Sequence, residues 1–286
     1  MASARPAVSV IIPAYNEEGR LEPTVRDAVH YFRSTSRNAE IIVVDDGSRD
    51  GTSDLTNRLH AELPEVRLIR LAANAGKGYA VRTGVVNARG RLVLFMDADG
   101  ATPIAEYDRL ERAIAGGAAV AIGSRALHGP GVRVRARLYR RMIGRLFHGL
   151  VRTLTVRGIA DTQCGFKMFR GAAAHDLFSR MRMKGFSFDV EVLVMAQLRG
   201  LRVAEVPVNW THQPGSRVNL VRDSLHMAYD LLVIRAHVLR GDYDAPHVAP
   251  LSDGVGADAS VEDESDGTGS AVGVVGDSEG SVVRPS

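Results

Sequence analysis

Cysteine is almost missing from this chain: Cys164 is the single one among 286 residues. No intrachain disulfide can form, no Cys/His cluster has the spacing of a structural zinc site, and a reducing, cytosolic setting is expected. Long apolar runs are missing too. The most apolar late stretch, 227–239, is broken by Asp230, Arg235 and His237, short of the roughly 18 to 20 apolar residues that a spanning helix needs. Any membrane association is expected to be peripheral. Residues 1–7 lack a charged start followed by an apolar core, so no signal peptide is expected. Two nucleotide-binding fingerprints are missing as well. No Gly-x-Gly-x-x-Gly turn follows the first apolar run, and Gly76-Lys77-Gly78 lacks the lead-in and the Ser/Thr of a Walker A loop.

What the chain does have is an ordinary soluble-core composition, 45% hydrophobic, and a charge distribution far from even. Beyond Asp244 there are eight acids and one base, Arg284, so the net charge of +3 divides into −7 for residues 245–286 and +10 for residues 1–244. The basic excess is local: from Arg112 to Arg157 inclusive there are ten Arg and no Asp, Glu or Lys. An anionic partner is expected for that stretch. The Gly/Ser/Asp/Val-rich 245–286 reads as a disordered acidic tail behind a single domain, 1–244.

Short aliphatic and β-branched runs alternate with helical patterns, the signature of βαβ units around a mainly parallel α/β sheet covered on both faces. Strands are expected at 8–12, 40–44, 66–71, 91–96, 119–122 and 202–206, and helices at 22–34, 52–62 and 77–88. Two segments break the rhythm. Residues 137–155 place Leu138, Met142, Leu146, Leu150 and Leu154 at helical spacing among Arg137, Arg140, Arg141, Arg145 and Arg152, a basic amphipathic helix. Residues 219–239 form a second amphipathic pattern.

In an open parallel sheet, ligands bind beyond the carboxyl ends of the strands. Those positions here carry Pro13-Ala14-Tyr15-Asn16-Glu17-Glu18, Asp45-Asp46-Gly47-Ser48 and Asp97-Ala98-Asp99-Gly100. In extended chain Asp97 and Asp99 point the same way, so their carboxylates can converge on one hard cation or on sugar hydroxyls. The competing reading is that the pair merely caps a helix. Asp45 or Asp46 can accept hydrogen bonds from a base or ribose, Glu17 or Glu18 can read ribose hydroxyls, and Asp50 or Thr52 can cap the helix at 52–62.

These three segments, in this order, resemble the inverting glycosyltransferase family 2 of the GT-A fold. Asn74-Ala75-Gly76-Lys77-Gly78, Gly123-Ser124-Arg125, the run from Asp161 to Phe169, and Phe188-Asp189-Val190-Glu191 resemble its dolichyl-phosphate β-glucosyltransferase branch, close to dolichyl-phosphate mannose synthases. The resemblance implies a nucleotide-sugar donor, UDP-glucose with GDP-mannose as the rival, a polyprenyl phosphate acceptor, and Mg²⁺ or Mn²⁺ at Asp97 and Asp99. It further implies donor contacts from Pro13, Tyr15, Glu17, Asp46, Lys77 and Arg217. Arg125, Gln163 and Lys167 would meet the acceptor, with Arg125 also a candidate for the donor phosphate. Cys164, Gly165 and Phe166 are expected to pack. A binding protein without catalysis is the alternative from another class.

A phosphate acceptor already carries negative oxygen near neutral pH, so it needs positioning and charge compensation more than a general base. Asp189 stands where many family relatives carry a base; here it either positions groups or repels misbound phosphate. Arginine forks match phosphate oxygens. The 137–155 helix, through Arg137 and Arg141 among others, is expected to meet the lipid phosphate and dock on the membrane surface. No pattern for nucleic acid accompanies its charge. Oligomeric state is not legible.

Overall fold

The computed structural model describes residues 5–135, 158–213 and 220–245, with side chains omitted for Arg135 and 220–225. The expected helix at 137–155, with Arg137 and Arg141, lies outside the described residues. So do Arg217 and all of the 245–286 segment but Ala245. Among the described residues, no helix is long and apolar enough to cross a membrane.

The parallel half is built as its apolar runs dictate. Strands β1 (Val8–Ala14), β2 (Ala39–Asp45), β3 (Val66–Arg70) and β4 (Leu92–Met96) alternate with helices α1 (Leu21–Ser34), α2 (Thr52–Glu62) and α3 (Lys77–Val86). A short 3₁₀ turn leads into α4 (Tyr107–Ala115), followed by β5 (Val120–Ser124) and β6 (Val134–Arg135). After the undescribed stretch come β7 (Phe166–Arg170), α5 (Gly171–Arg180), α6 (Phe188–Leu198), β8 (Val203–Pro207), β9 (Trp210–Thr211) and α7 (Leu220–Arg240). The main sheet runs β3-β2-β1-β4-β7-β5-β8, and β6 pairs with β9 beside it.

Every pairing in the main sheet is parallel except those of β7, which runs antiparallel to both β4 and β5. That strand was not expected from the sequence. Its direction matters because it carries its amino end to the edge where the parallel strands finish: Met96 pairs with Phe166, and the Asp97 N–H donates to the Gly165 carbonyl at 3.0 Å. The segment 158–165 is thereby delivered to the carboxyl edge of the sheet.

Two apolar layers cover the sheet, as side-chain alternation requires. Ile11, Val44, Phe95, Ile122 and Phe169 face α3, α5, α6 and α7, whereas Val10, Ile12, Val43, Leu94 and Phe166 face α1, α2 and α4. Each fully buried aliphatic or aromatic side chain contributes about 1.5–3 kcal/mol. Helix α3 sits very close: a Cβ at Gly84 would lie 2.4 Å from Ile11 Cγ2, so only glycine fits there. Pro13, in the central strand β1, lies past the last β1–β4 pair, Ile11 with Phe95, and so interrupts no ladder on that side.

Candidate active site

The first two loops at the carboxyl edge are laced together. Asn16, in the left-handed region at φ 53°, donates its N–H to Ser48 Oγ at 2.8 Å and accepts the Arg49 N–H on Oδ1 at 2.7 Å. The Glu17 N–H reaches Thr52 Oγ1 at 2.9 Å, so that hydroxyl bridges two loops instead of capping its own helix. Asp45 is fully buried and accepts the Ser48 N–H at 2.8 Å and the Ser53 hydroxyl. It is a brace of its own turn. Tyr15 is half-buried and Pro13 buried beneath this edge. The Glu17 carboxylate takes a two-pronged contact from Arg20, at 2.7 and 2.8 Å.

Asp46, expected to touch the nucleotide, spends its carboxylate on the neighbouring loop. It accepts the Ala75 N–H at 2.7 Å, the Gly76 N–H at 3.0 Å and Asn74 Nδ2 at 2.9 Å. Burial pushes its carboxyl above the ordinary range, against the pull of those N–H groups. The consequence is positional: the 74–76 turn, with Gly76 at φ 101°, launches α3 with Lys77 at its first position.

Lys77 Nζ reaches Asp97 Oδ1 at 2.6 Å, with 24% of the lysine and 34% of the aspartate side chain exposed. Burial works against the ammonium, but the attraction of Asp97 and Asp189 outweighs it, so Lys77 titrates above an ordinary lysine. Asp99 is pushed up by burial and then by the like charge of Asp97. It accepts the Ala101 N–H at 3.0 Å. Gly165, expected merely to pack, leaves the room Asp97 occupies: a Cβ there would stand 1.9 Å from Asp97 Oδ2.

Behind this pair lies a second. Lys167, expected in a loop lining the acceptor site, is instead a strand residue, 2% exposed, alternating with Phe166 and Met168 onto the α6 face. Its Nζ donates to the Cys164 carbonyl at 2.7 Å and to Asp189 Oδ1 at 2.5 Å. Burial pushes the Asp189 carboxyl up, opposed by Lys167 and Lys77. Both ammoniums flank the Phe95 ring, Lys77 at 5.3 Å and Lys167 at 5.8 Å from its centroid. Two acid–base pairs therefore share one aromatic ring under the site.

Arg125, just past β5, grips Asp161 through Nε at 2.7 Å and Nη2 at 2.8 Å and lies over Trp210 at 5.6 Å. Despite burial, Arg125 holds the Asp161 carboxyl down at about 2. Asp161 opens the 161–169 motif, yet nothing in the sequence marks it as the partner of Arg125. Glu205 of β8 in turn accepts the Ala160 and Asp161 N–H groups, both at 2.8 Å. Gln163 donates its N–H to Asp161 at 3.2 Å and its Nε2 contacts Met227 Sδ at 3.6 Å. Cys164 and Phe166 are fully buried, as expected, and burial raises the Cys164 thiol to about 12, which leaves it unreactive.

The donor set suits a hard divalent cation that shares its shell with a ligand. Asp97 and Asp99 offer carboxylate oxygens, and among the described residues no group of three or more His, Cys, Asp or Glu could complete a cage. Mg²⁺ and Mn²⁺ sites that complete their shells with substrate phosphates have this character; structural zinc sites do not.

Comparison with known proteins agrees with this architecture. The model of glycosyl transferase family 2 matches residues 9–178. A dolichyl-phosphate β-glucosyltransferase of Trichomonas vaginalis is 40% identical over 256 residues, covering 85% of this chain and 75% of that protein. Its Homo sapiens counterpart is 40% identical over 248 residues, 82% of this chain and 76% of that one. Among solved structures, glucosyl-3-phosphoglycerate synthase of Mycobacterium tuberculosis with phosphoglyceric acid superposes with a TM-score of 0.60 at 21% identity, covering 82% of each chain. The same enzyme with Mn²⁺, UDP-glucose and phosphoglyceric acid gives 0.56 at 19% identity, over 86% of this chain and 82% of that one. These structures share the GT-A fold with the present chain, whose mainly parallel sheet ends in the same family's motifs. The chain is a glycosyltransferase and belongs to glycosyl transferase family 2, in its dolichyl-phosphate β-glucosyltransferase branch.

Proposed function

We propose that this enzyme transfers glucose, with inversion, from UDP-glucose to a polyprenyl phosphate of the dolichyl type, making a lipid-linked sugar at the cytosolic face of a membrane. The observation that carries the reading is the convergence of Asp97, Asp99 and Lys77 at the carboxyl edge of the sheet, with Lys77 Nζ 2.6 Å from Asp97. The names of its 40%-identical relatives support the glucose and the dolichyl phosphate.

Asp97 and Asp99 would hold Mg²⁺ or Mn²⁺, which when bound supplies charge compensation for the departing nucleotide diphosphate. The chain's own groups do the rest. The laced loops carrying Tyr15, Glu17 and Asp46 form a rigid floor for the nucleotide, with Asp46 acting through the 74–76 turn. Lys77 meets the diphosphate. Arg125 has two of its five N–H groups committed to Asp161, which fixes the guanidinium plane and directs the remaining donors toward a phosphate. The acceptor oxygen is already anionic, so no residue has to remove a proton, and Asp189 serves as counter-ion to Lys167 and Lys77. Gln163 and Lys167 shape the acceptor side, Lys167 by holding the Cys164 carbonyl. Arg137, Arg141 and Arg217 complete the anion-binding set, and the 137–155 segment docks the enzyme on an anionic leaflet at about 1 kcal/mol per engaged arginine.

The test is transfer of label to the lipid phase from UDP-glucose and GDP-mannose in parallel, with Mg²⁺ and a polyprenyl phosphate. Label is expected from UDP-glucose. Label from GDP-mannose alone would reassign the donor, and label from neither would overturn the acceptor.

A further inference from the structure

We infer that Lys77 is an exchangeable counter-ion: its ammonium holds Asp97 while the carboxylate pair carries no divalent cation, and must release Asp97 for one to bind. Entry of the cation is thereby coupled to entry of the nucleotide diphosphate. The inference rests on the proposed cation role of Asp97 and Asp99.

The geometry makes the exchange necessary. Lys77 Nζ sits 2.6 Å from Asp97 Oδ1, a short charge-assisted bond. An oxygen so engaged cannot also take a divalent cation without two positive centres meeting at one atom. The other oxygen, Oδ2, is packed against Gly165, where a Cβ would stand 1.9 Å from it. The Asp97 backbone is also tied to the Gly165 carbonyl at 3.0 Å. The backbone tie and the Gly165 contact hold the carboxylate near this position, and the long lysine chain is the partner that moves more readily.

The displaced ammonium needs another anion. Asp189 attracts it, yet Asp189 Oδ1 is already bound by Lys167 at 2.5 Å. Phe95 and Phe186, at 5.3 and 5.9 Å from Nζ, can cradle the cation but cannot neutralise the carboxylate network. Asp99 also attracts Lys77 but would be held by the cation together with Asp97, so a diphosphate oxygen is the natural destination. Cation binding alone then leaves Lys77 poorly compensated, whereas the nucleotide brings the anionic oxygens that Lys77 lacks. Lys77 thus binds the diphosphate and disfavours a half-loaded site.

The experiment measures Mn²⁺ binding by electron paramagnetic resonance, with and without UDP, for the wild type, Lys77→Met and Lys77→Arg, each checked for an unchanged melting temperature. Without UDP, Lys77→Met is expected to bind Mn²⁺ at least about tenfold more tightly than the wild type, while Lys77→Arg stays close to it. Addition of UDP should tighten Mn²⁺ less in Lys77→Met than in the wild type. A purely structural lysine would weaken Mn²⁺ binding or leave it unchanged on substitution, and either result overturns the inference. Should Lys77→Met melt early, Lys77→Gln provides the same comparison. Wild type that binds no Mn²⁺ even with UDP would instead remove the cation reading itself, and this inference with it.

Discussion

Replacing Gly165 with alanine is the sharpest perturbation the site offers, because it adds one methyl group and removes none of the charged residues. The new Cβ would lie 1.9 Å from Asp97 Oδ2 and 2.2 Å from its Cγ, far inside van der Waals contact. The two backbones cannot part easily, since the Asp97 N–H is bonded to the Gly165 carbonyl and the next residues pair as Met96 with Phe166. The carboxylate must swing away, which breaks its 2.6 Å contact with Lys77. Overpacking a tight core costs about 1–3 kcal/mol, and with a third of the Asp97 side chain exposed the swing toward solvent keeps the cost near 1 kcal/mol. In a domain of this size that lowers the melting temperature by roughly 2–4 °C. A misplacement of about 1 Å in a reacting constellation costs about 10²-fold in rate. Gly165→Ala should therefore fold, melt slightly early and transfer glucose about a hundredfold more slowly, read by label entering the lipid phase per folded molecule. Transfer within threefold of wild type, with Mn²⁺ affinity also unchanged, would refute the view that this glycine exists to seat Asp97.

Asp161→Asn should cost about 2 kcal/mol near neutral pH, allowing for the partial exposure of Arg125, since the lowering from an ordinary 3.8 to about 2 measures how strongly the folded state favours the carboxylate. A depressed acid stabilises above its unfolded value and loses that stabilisation as pH falls through its folded one, so urea titrations of wild type and variant should converge between pH 3.8 and 2; a constant gap would contradict the assignment. Asp46→Ala strands the Ala75 and Gly76 N–H groups and should cost at least about 2 kcal/mol while raising the donor KM, with Asp46→Asn restoring part of both. A donor KM left at the wild-type value would show that the 74–76 turn does not position Lys77. Truncation after Asp244 should leave transfer intact, and a loss would show that the acidic segment contributes to activity.

Sequence patterning exposed the parallel half of the fold because each buried strand is an unbroken aliphatic run. The helix at 52–62 matches to the residue, and the expected strands at 8–12 and 40–44 extend by a few residues to Val8–Ala14 and Ala39–Asp45. Strand β7 escaped because Phe-Lys-Met-Phe-Arg carries two charges in five residues and reads as part of a motif. The alternation was nonetheless a signal: it sets Lys167 on the same face as Phe169, away from Phe166 and Met168, and a lysine there needs a buried acid. Helices α4, α5 and α6 were not delimited, although the acids Asp189 and Glu191 in the first turn of α6 fit a helix start. Asp97 and Asp99 were legible through strand-end placement, and Lys77 through the family resemblance. The employment of Asp46 by its neighbouring loop and of Asp161 by Arg125 was not, since they depend on segments 30 and 36 residues apart in sequence meeting in space.

The antiparallel strand β7 also dictates the order in which the sheet can be completed. Strands β5 and β8 adjoin the rest of the sheet only through β7, although β5 precedes it by some 40 residues in the chain. During synthesis β5 therefore emerges before the strand that joins it to β4 exists, and β4 must wait with an unpaired edge, the kind of surface that invites wrong pairing. Only when residues 166–170 slot into the gap do both edges close, and the same event brings Gly165 against Asp97. Joining of the two parts of the sheet and seating of Asp97 against Gly165 are one step, so a nascent chain stopped short of β7 would hold its first carboxyl-edge loops without that contact.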